Sequence, residues 1–445
     1  MRRSLSLLAL IGVVALGAVA CDAGDPDGAQ APETAEPPDE PTTQEPTATP
    51  EPTEPDETPT EEGTADDAEV ADYVADVAEQ VAELRGLEVR EEIDTSVVDQ
   101  DELVDIAIDD ERDDEDEQAR QDREDLLVAL RLLPPDTDLD EVAEQLVEGG
   151  VAGLYDPEEA RAYISSEEWP LEPAAQVTTA HEVVHALQDQ SFDLTRLSDF
   201  DEESPDLAMA FRAIVEGDAV ITQEQWASAH LSEAEQEERA QQEQIAGAEA
   251  QQALADLPPY VVFEQLIPYE LGERFLRAVV EEEGDDGIDA RLEEPPATTV
   301  ELYDPSLHFD GFEAEPVDAP GPPGDDWEPL DAFDFGAYLV NAYYFLAGNL
   351  ADGSQATAAW RGGQLQAWRG PDGVAVGITV RFTGDAAAGF CGVAPTLHTA
   401  EDSVEEVADG RFQTDQDALA VECDAEEVRF ATAPTLESAE QMVAP

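Results

Sequence analysis

Hydrophobic positions recur at helical spacing over most of this chain and at strand spacing over a smaller part. Val70, Val74, Val77, Val81 and Leu84 fall three or four residues apart and Gly86 follows them, which predicts a helix ending near 85. The same pattern predicts helices at 119–133, 138–147, 173–190 and 205–229, a polar helix at 233–256 and helical segments between 260 and 283. Ser204 and Pro205 supply a cap and a first-turn proline to the helix at 205–229, and Ser232 with Glu235 makes a capping box for the polar helix. Two short strands around a turn are expected at 151–157 and 160–165. Pro and Gly between Glu313 and Trp327 mark a boundary. Beyond it, helices are expected at 331–350, 354–360, 384–398 and 435–442, with strands at 364–369, 373–383, 411–415, 418–422 and 426–431. The class is α+β and helix-rich, with a larger domain at 68–312 and a smaller α+β region at 329–445.

Two stretches lack any such period. Asp22 to Asp67 is Pro, Thr, Glu and Asp with almost no large apolar residue, so it cannot bury enough surface to offset its ordering entropy; a disordered tether is expected over 21–67. Asp109 to Asp116 is a second acidic run, expected as a solvated loop. Ahead of the tether, Arg2 and Arg3 precede the largely apolar run Leu5 to Ala20, which is short for a membrane span and fits a signal peptide at 1–20. That run ends in Ala18-Val19-Ala20-Cys21, which resembles a bacterial lipobox, although Ala18 stands where Leu or Val is more usual. On this reading Cys21 carries lipid and anchors the mature protein to the extracytoplasmic face of the cell membrane. An ordinary secretory signal with an incidental cysteine gives the same compartment. Cys391 and Cys423 then remain as a pair, either disulfide-bonded or as two buried thiols.

Composition changes the picture through charge. There are 108 Asp and Glu against 20 basic residues, all Arg, for a net charge of −88. Such charge keeps a chain soluble at the cost of self-repulsion, which salt screens. It reads as a surface adapted to a salty milieu, or as acidic drift plus an acidic tail. Either reading argues against nucleic acid and anionic membrane surfaces as partners.

The sharpest chemical signal is Ala180-His181-Glu182-Val183-Val184-His185, inside a segment free of Pro and Gly from Ala174 to Leu194. Residues four apart share a helix face, so both imidazoles can reach one ion. Glu182 stands beside that face, placed to take a proton rather than to bind the ion. The bland alternative is a helix with two exposed or capping histidines. Glu182-x-x-His185 is also half of a di-iron motif, but no second copy accompanies it. A catalytic zinc needs a third protein ligand. The remaining histidines are His230, His308 and His398, and Ser191 stands where a metzincin would have its third His. Glu216 is the better candidate, because it is embedded in the apolar run Leu207 to Ile221, where a carboxylate is costly unless paired or metal-bound. The alternative for Glu216 is a salt bridge to Arg212 one turn earlier. Gly217, mid-helix, implies close approach of another backbone. A donor to developing negative charge is expected at Tyr269 or His230, and 160–165 would suit an edge strand pairing with an extended peptide.

At these residues the chain resembles the gluzincin zinc metallopeptidases. More closely it resembles a bacterial and archaeal family of predicted HExxH metallopeptidases, through Gly153-Leu154-Tyr155-Asp156-Pro157, His181 to Gln190, and Glu216-Gly217-Asp218-Ala219. Looser likeness continues at Pro268-Tyr269 with Gly272 and Phe275, at Pro295 to Thr299, and at Trp360 to Gly363. The resemblance implies a zincin-like catalytic domain, Zn2+ on His181, His185 and Glu216, Glu182 as general base, and a peptide or protein substrate. Two positions depart from it. Val220 replaces the Asp that often follows a gluzincin glutamate by four residues, leaving Asp218 on another face, and Asp304-Pro305 replaces a His-Pro. The rival readings are an inactive zincin-like surface lipoprotein that binds a partner, and a zinc hydrolase acting on cell-wall material.

Overall fold

A computed structural model describes residues 67–444, apart from 115–116, 136, 167–168, 400–403 and 415–416. The expected signal peptide, tether and lipidated Cys21 lie outside the described residues. The described fold is α+β and helix-rich, with two sheets.

Three long helices frame the first half: a motif helix Pro173–Phe192, a glutamate helix Pro205–His230 and a crossing helix Pro259–Glu283. Ser204 caps the glutamate helix by accepting from the Leu207 N–H, with Pro205 in its first turn. Gly217 and Gly272 bring the glutamate and crossing helices together backbone to backbone. A Cβ on Gly272 would lie 1.7 Å from the Ala213 carbonyl oxygen, and one on Gly217 would lie 2.3 Å from the Gly272 carbonyl carbon. The N-terminal helix Asp67–Arg85 packs on the motif and glutamate helices and buries Val70, Val74, Val77 and Val81. Val177, Ala180, Val184 and Leu187 of the motif helix join Phe211, Ile214 and Val215 in the same core.

The small sheet has the order Asp94–Val98, Arg161–Ser165, Gly153–Asp156, parallel in the first pair and antiparallel in the second. Arg161–Ser165 is therefore the middle strand, with a neighbour on each side, and not the edge expected from the sequence. Asp94–Val98 is too short and polar to show a period, and it takes that edge. The large sheet is antiparallel, in the order Glu328–Phe333, Trp360–Gly370, Gly373–Phe382, Glu427–Ala433, Ala418–Cys423, Arg411–Gln413, Glu405–Ala408. The helix expected to start at 331 starts at Ala337, because Glu328–Phe333 is an edge strand. Pro329 is tolerated there beside a bulge, since an edge strand can spare an N–H. The acidic run expected as a loop is helical through Asp114, at the end of Gln100–Asp114. Acidic composition alone does not stop a helix that contains neither Pro nor Gly.

The larger core joins segments distant in the described chain. Leu103, Leu127 and Leu146 pack in one cluster with Phe335, Tyr343 and Phe430. Cys391 and Cys423 are disulfide-bonded, tying the helix Ala386–Thr399 to the strand Ala418–Cys423. Among the described residues no helix is long and apolar enough to cross a membrane.

Candidate metal centre

The motif helix presents His181 and His185 side by side, with ring centroids 4.6 Å apart. Glu216 faces both from the neighbouring helix. Its Oε2 lies 3.3 Å from His181 Nε2 and 3.6 Å from His185 Nε2, and all three residues are fully buried. One ligand atom from each lies within 4.8 Å of the others, so the three form a buried group that could hold a metal ion. Two donors about 2.0–2.1 Å from a tetrahedral ion lie about 3.3 Å apart, so the observed separations fit. His185 Nε2 and Glu216 Oε1 are buried without a hydrogen bond, which an ion between them would explain. Burial would raise the Glu216 pKa, but the hydrogen bond with His181 and the closeness of His185 outweigh it and hold the carboxyl at about 2. Burial lowers the His181 pKa, whereas His185, equally buried, is raised by Glu216 and Glu182. Arg212 does not take up Glu216; it donates to Gln265 Oε1 at 2.7 Å.

Behind the ligands stands a layer that sequence reading missed. Gln223 Oε1 lies 2.7 Å from His181 Nδ1, and Gln188 Oε1 lies 3.0 Å from His185 Nδ1. Gln188 Nε2 donates to the Val215 carbonyl at 3.1 Å and to Asp218 Oδ2 at 2.8 Å. Asp218 in turn accepts from Arg85 Nε at 2.6 Å, and Arg85 also donates to Asp289 at 2.6 Å. Asp218 thus reaches an imidazole through Gln188, from the face that made a direct contact doubtful. The rest of the extended motif ties down the helix end. Tyr155 donates to Asp189, Asp189 accepts from Leu194 N–H, and Gln190 accepts from the N–H groups of Arg90 and Glu91. Spacing held the signal: Gln188 lies three residues after His185, and Gln223 lies two helical turns after Glu216.

Glu182, fully buried, lies against the strand Gly153–Asp156. A Cβ on Gly153 would sit 2.8 Å from Glu182 Oε1 and 2.7 Å from Thr178 Cγ2, so only glycine leaves that room. Tyr269, half-buried on the crossing helix, has its ring 6.4 Å from that of His181. Burial, then the Glu216 carboxylate, push its hydroxyl pKa well up, so it stays protonated. The other donor candidate, His230, is not at the site. It is exposed at the far end of the glutamate helix, stacked on Trp226, fourteen residues beyond Glu216 and so about 21 Å along the axis. His308 pairs with Glu301 and Arg291, and His398 accepts from Arg131, so neither joins the cluster.

No protein-family model matches this chain, and no curated protein matches it. Among solved structures, one described as "a putative hydrolase with a novel fold from Chloroflexus aurantiacus" aligns over 57% of this chain and 94% of its own, with 16% identity and a TM-score of 0.33. That likeness is too loose to define a shared fold.

Proposed function

We propose that this protein is an extracytoplasmic zinc-dependent peptidase, held at the membrane by lipid on Cys21 or released by an ordinary signal. The observation that carries the reading is the buried convergence of His181, His185 and Glu216 at separations that suit one tetrahedral ion. Held by His181, His185 and Glu216, zinc would supply a Lewis acid and would lower the pKa of water at the site towards about 7. Glu182, kept beside the cluster by the gap at Gly153, accepts the proton as the carbonyl is attacked and delivers it to the leaving nitrogen. Tyr269, protonated at its hydroxyl, donates to the oxygen on which negative charge develops. The apolar packing around the motif helix keeps these groups fixed and shielded from bulk water. The leader-like run Leu5 to Ala20 and the tether after it support a catalytic domain displayed outside the cytoplasm.

Glu182→Gln tests the assignment on the full chain with an unstructured protein substrate and with peptidoglycan. We expect zinc to be retained and peptide hydrolysis to fall by about 100-fold or more. Hydrolysis unchanged by the substitution discards Glu182 as the base. A zinc-loaded wild type that cleaves neither substrate favours an inactive binding lipoprotein, and one that cleaves only peptidoglycan redirects the activity to the cell wall.

A further inference from the structure

The orientation of the Gln188 side-chain amide is fixed by its partners. Its amide nitrogen faces the Val215 carbonyl oxygen and Asp218 Oδ2, at 3.1 and 2.8 Å. Both are acceptors, so the amide cannot be turned the other way without setting oxygen against oxygen twice. Gln188 Oε1 is thereby left facing His185 Nδ1 at 3.0 Å. An amide oxygen only accepts, so Nδ1 must carry the hydrogen and Nε2 presents its lone pair towards His181 and Glu216. Asp218, fully buried, is ion-paired through its other oxygen with Arg85 Nε at 2.6 Å.

We propose that Gln188 is a positioning residue that sets the tautomer and ring orientation of His185, and that Asp218 fixes Gln188 in the one orientation able to do so. The inference rests on the zinc-site reading above and deepens it. The relay is an amide backed by a carboxylate, so the imidazole is aimed by a neutral acceptor and the negative charge is held one layer further out. Its geometry is set before any ion arrives, because each link is satisfied within the protein.

Competition for zinc against a chromophoric chelator, with the full chain and zinc alone, tests this. Gln188→Leu removes the acceptor, and Gln188→Glu keeps an acceptor for His185 but sets a carboxylate against Asp218 and the Val215 carbonyl. Each is expected to lower zinc affinity by about 10–100-fold. The swap Gln188→Glu with Asp218→Asn restores a donor opposite an acceptor at 218, leaves the Val215 carbonyl opposed, and should recover part of the loss. A merely structural role for Gln188 would not yield that recovery, since Asp218→Asn also weakens the contact with Arg85. Wild-type affinity in Gln188→Leu overturns the proposal while leaving the zinc site standing. A swap that binds no better than Gln188→Glu overturns it too, and decides the matter if Gln188→Leu does not fold. A wild type that binds no zinc removes the zinc site itself, and this inference with it.

Discussion

Single residues here do work that depends on how they are buried. Asp206 shows it away from the candidate metal site. It is buried in the first turn of the glutamate helix, where it accepts from the Thr299 N–H at 3.0 Å and the Thr299 hydroxyl at 2.5 Å, beside Gly336. Burial pushes its pKa up to about 6 from an ordinary 3.8, against the pull of Thr298 and Thr299. A folded value above the unfolded one means that the native state binds more protons between about pH 4 and 6, so stability falls as pH rises through that window. Two units amount to about 3 kcal/mol. Asn cannot titrate, so urea unfolding of Asp206→Asn should gain about 3 kcal/mol relative to wild type between pH 4 and pH 7. A difference that stays constant with pH contradicts the burial account. At the candidate metal site, the convergence of His181, His185 and Glu216 was legible in the sequence because its signals are local: one motif at helical spacing, and one carboxylate in an apolar run. Gln188, Gln223 and Arg85 were not assigned roles. A neutral amide declares itself only through tertiary partners, and Arg85 meets Asp218 across 133 residues of chain.

Among elements, the helices that build the site were visible as apolar periodicity, and Gly217 as a sign of close approach. The structure adds the other half of that contact, Gly272. Any side chain at 272 must push the crossing helix off the glutamate helix, and Tyr269 rides on the same segment. Gly272→Ala is expected to cost about 3 kcal/mol or more, read as a lowered melting temperature, with weakened zinc binding. An unchanged melting temperature would show that the two helices separate cheaply. What sequence could not give was sheet order. Arg161–Ser165 looked like an edge because its second neighbour, Asp94–Val98, pairs with it from across the N-terminal segment. Likewise Glu328–Phe333 was absorbed into the following helix, since Pro329 hid its strand character and its partner Trp360–Gly370 lies further along.

At the scale of the whole molecule, the chain closes on itself. The cluster containing Leu103 and Leu127 also contains Tyr343 and Phe430, a pairing of distant segments that no local period encodes. Holding this together costs self-repulsion from a net charge of −88. Raising salt from about 0.1 M to 1 M shortens the screening length from about 10 Å to 3 Å. The melting temperature should therefore rise with sodium chloride over that range, and a flat or falling trend contradicts the reading of a salt-adapted surface.

The central claim, that two imidazoles of the motif helix and Glu216 of its neighbour hold one divalent ion, is tested most directly by zinc stoichiometry and affinity of the full chain beside Glu216→Ala. The account predicts one zinc per wild-type chain and an affinity at least about 10-fold lower once the carboxylate is gone. Equal affinity in the two proteins, or no zinc in the wild type, contradicts it.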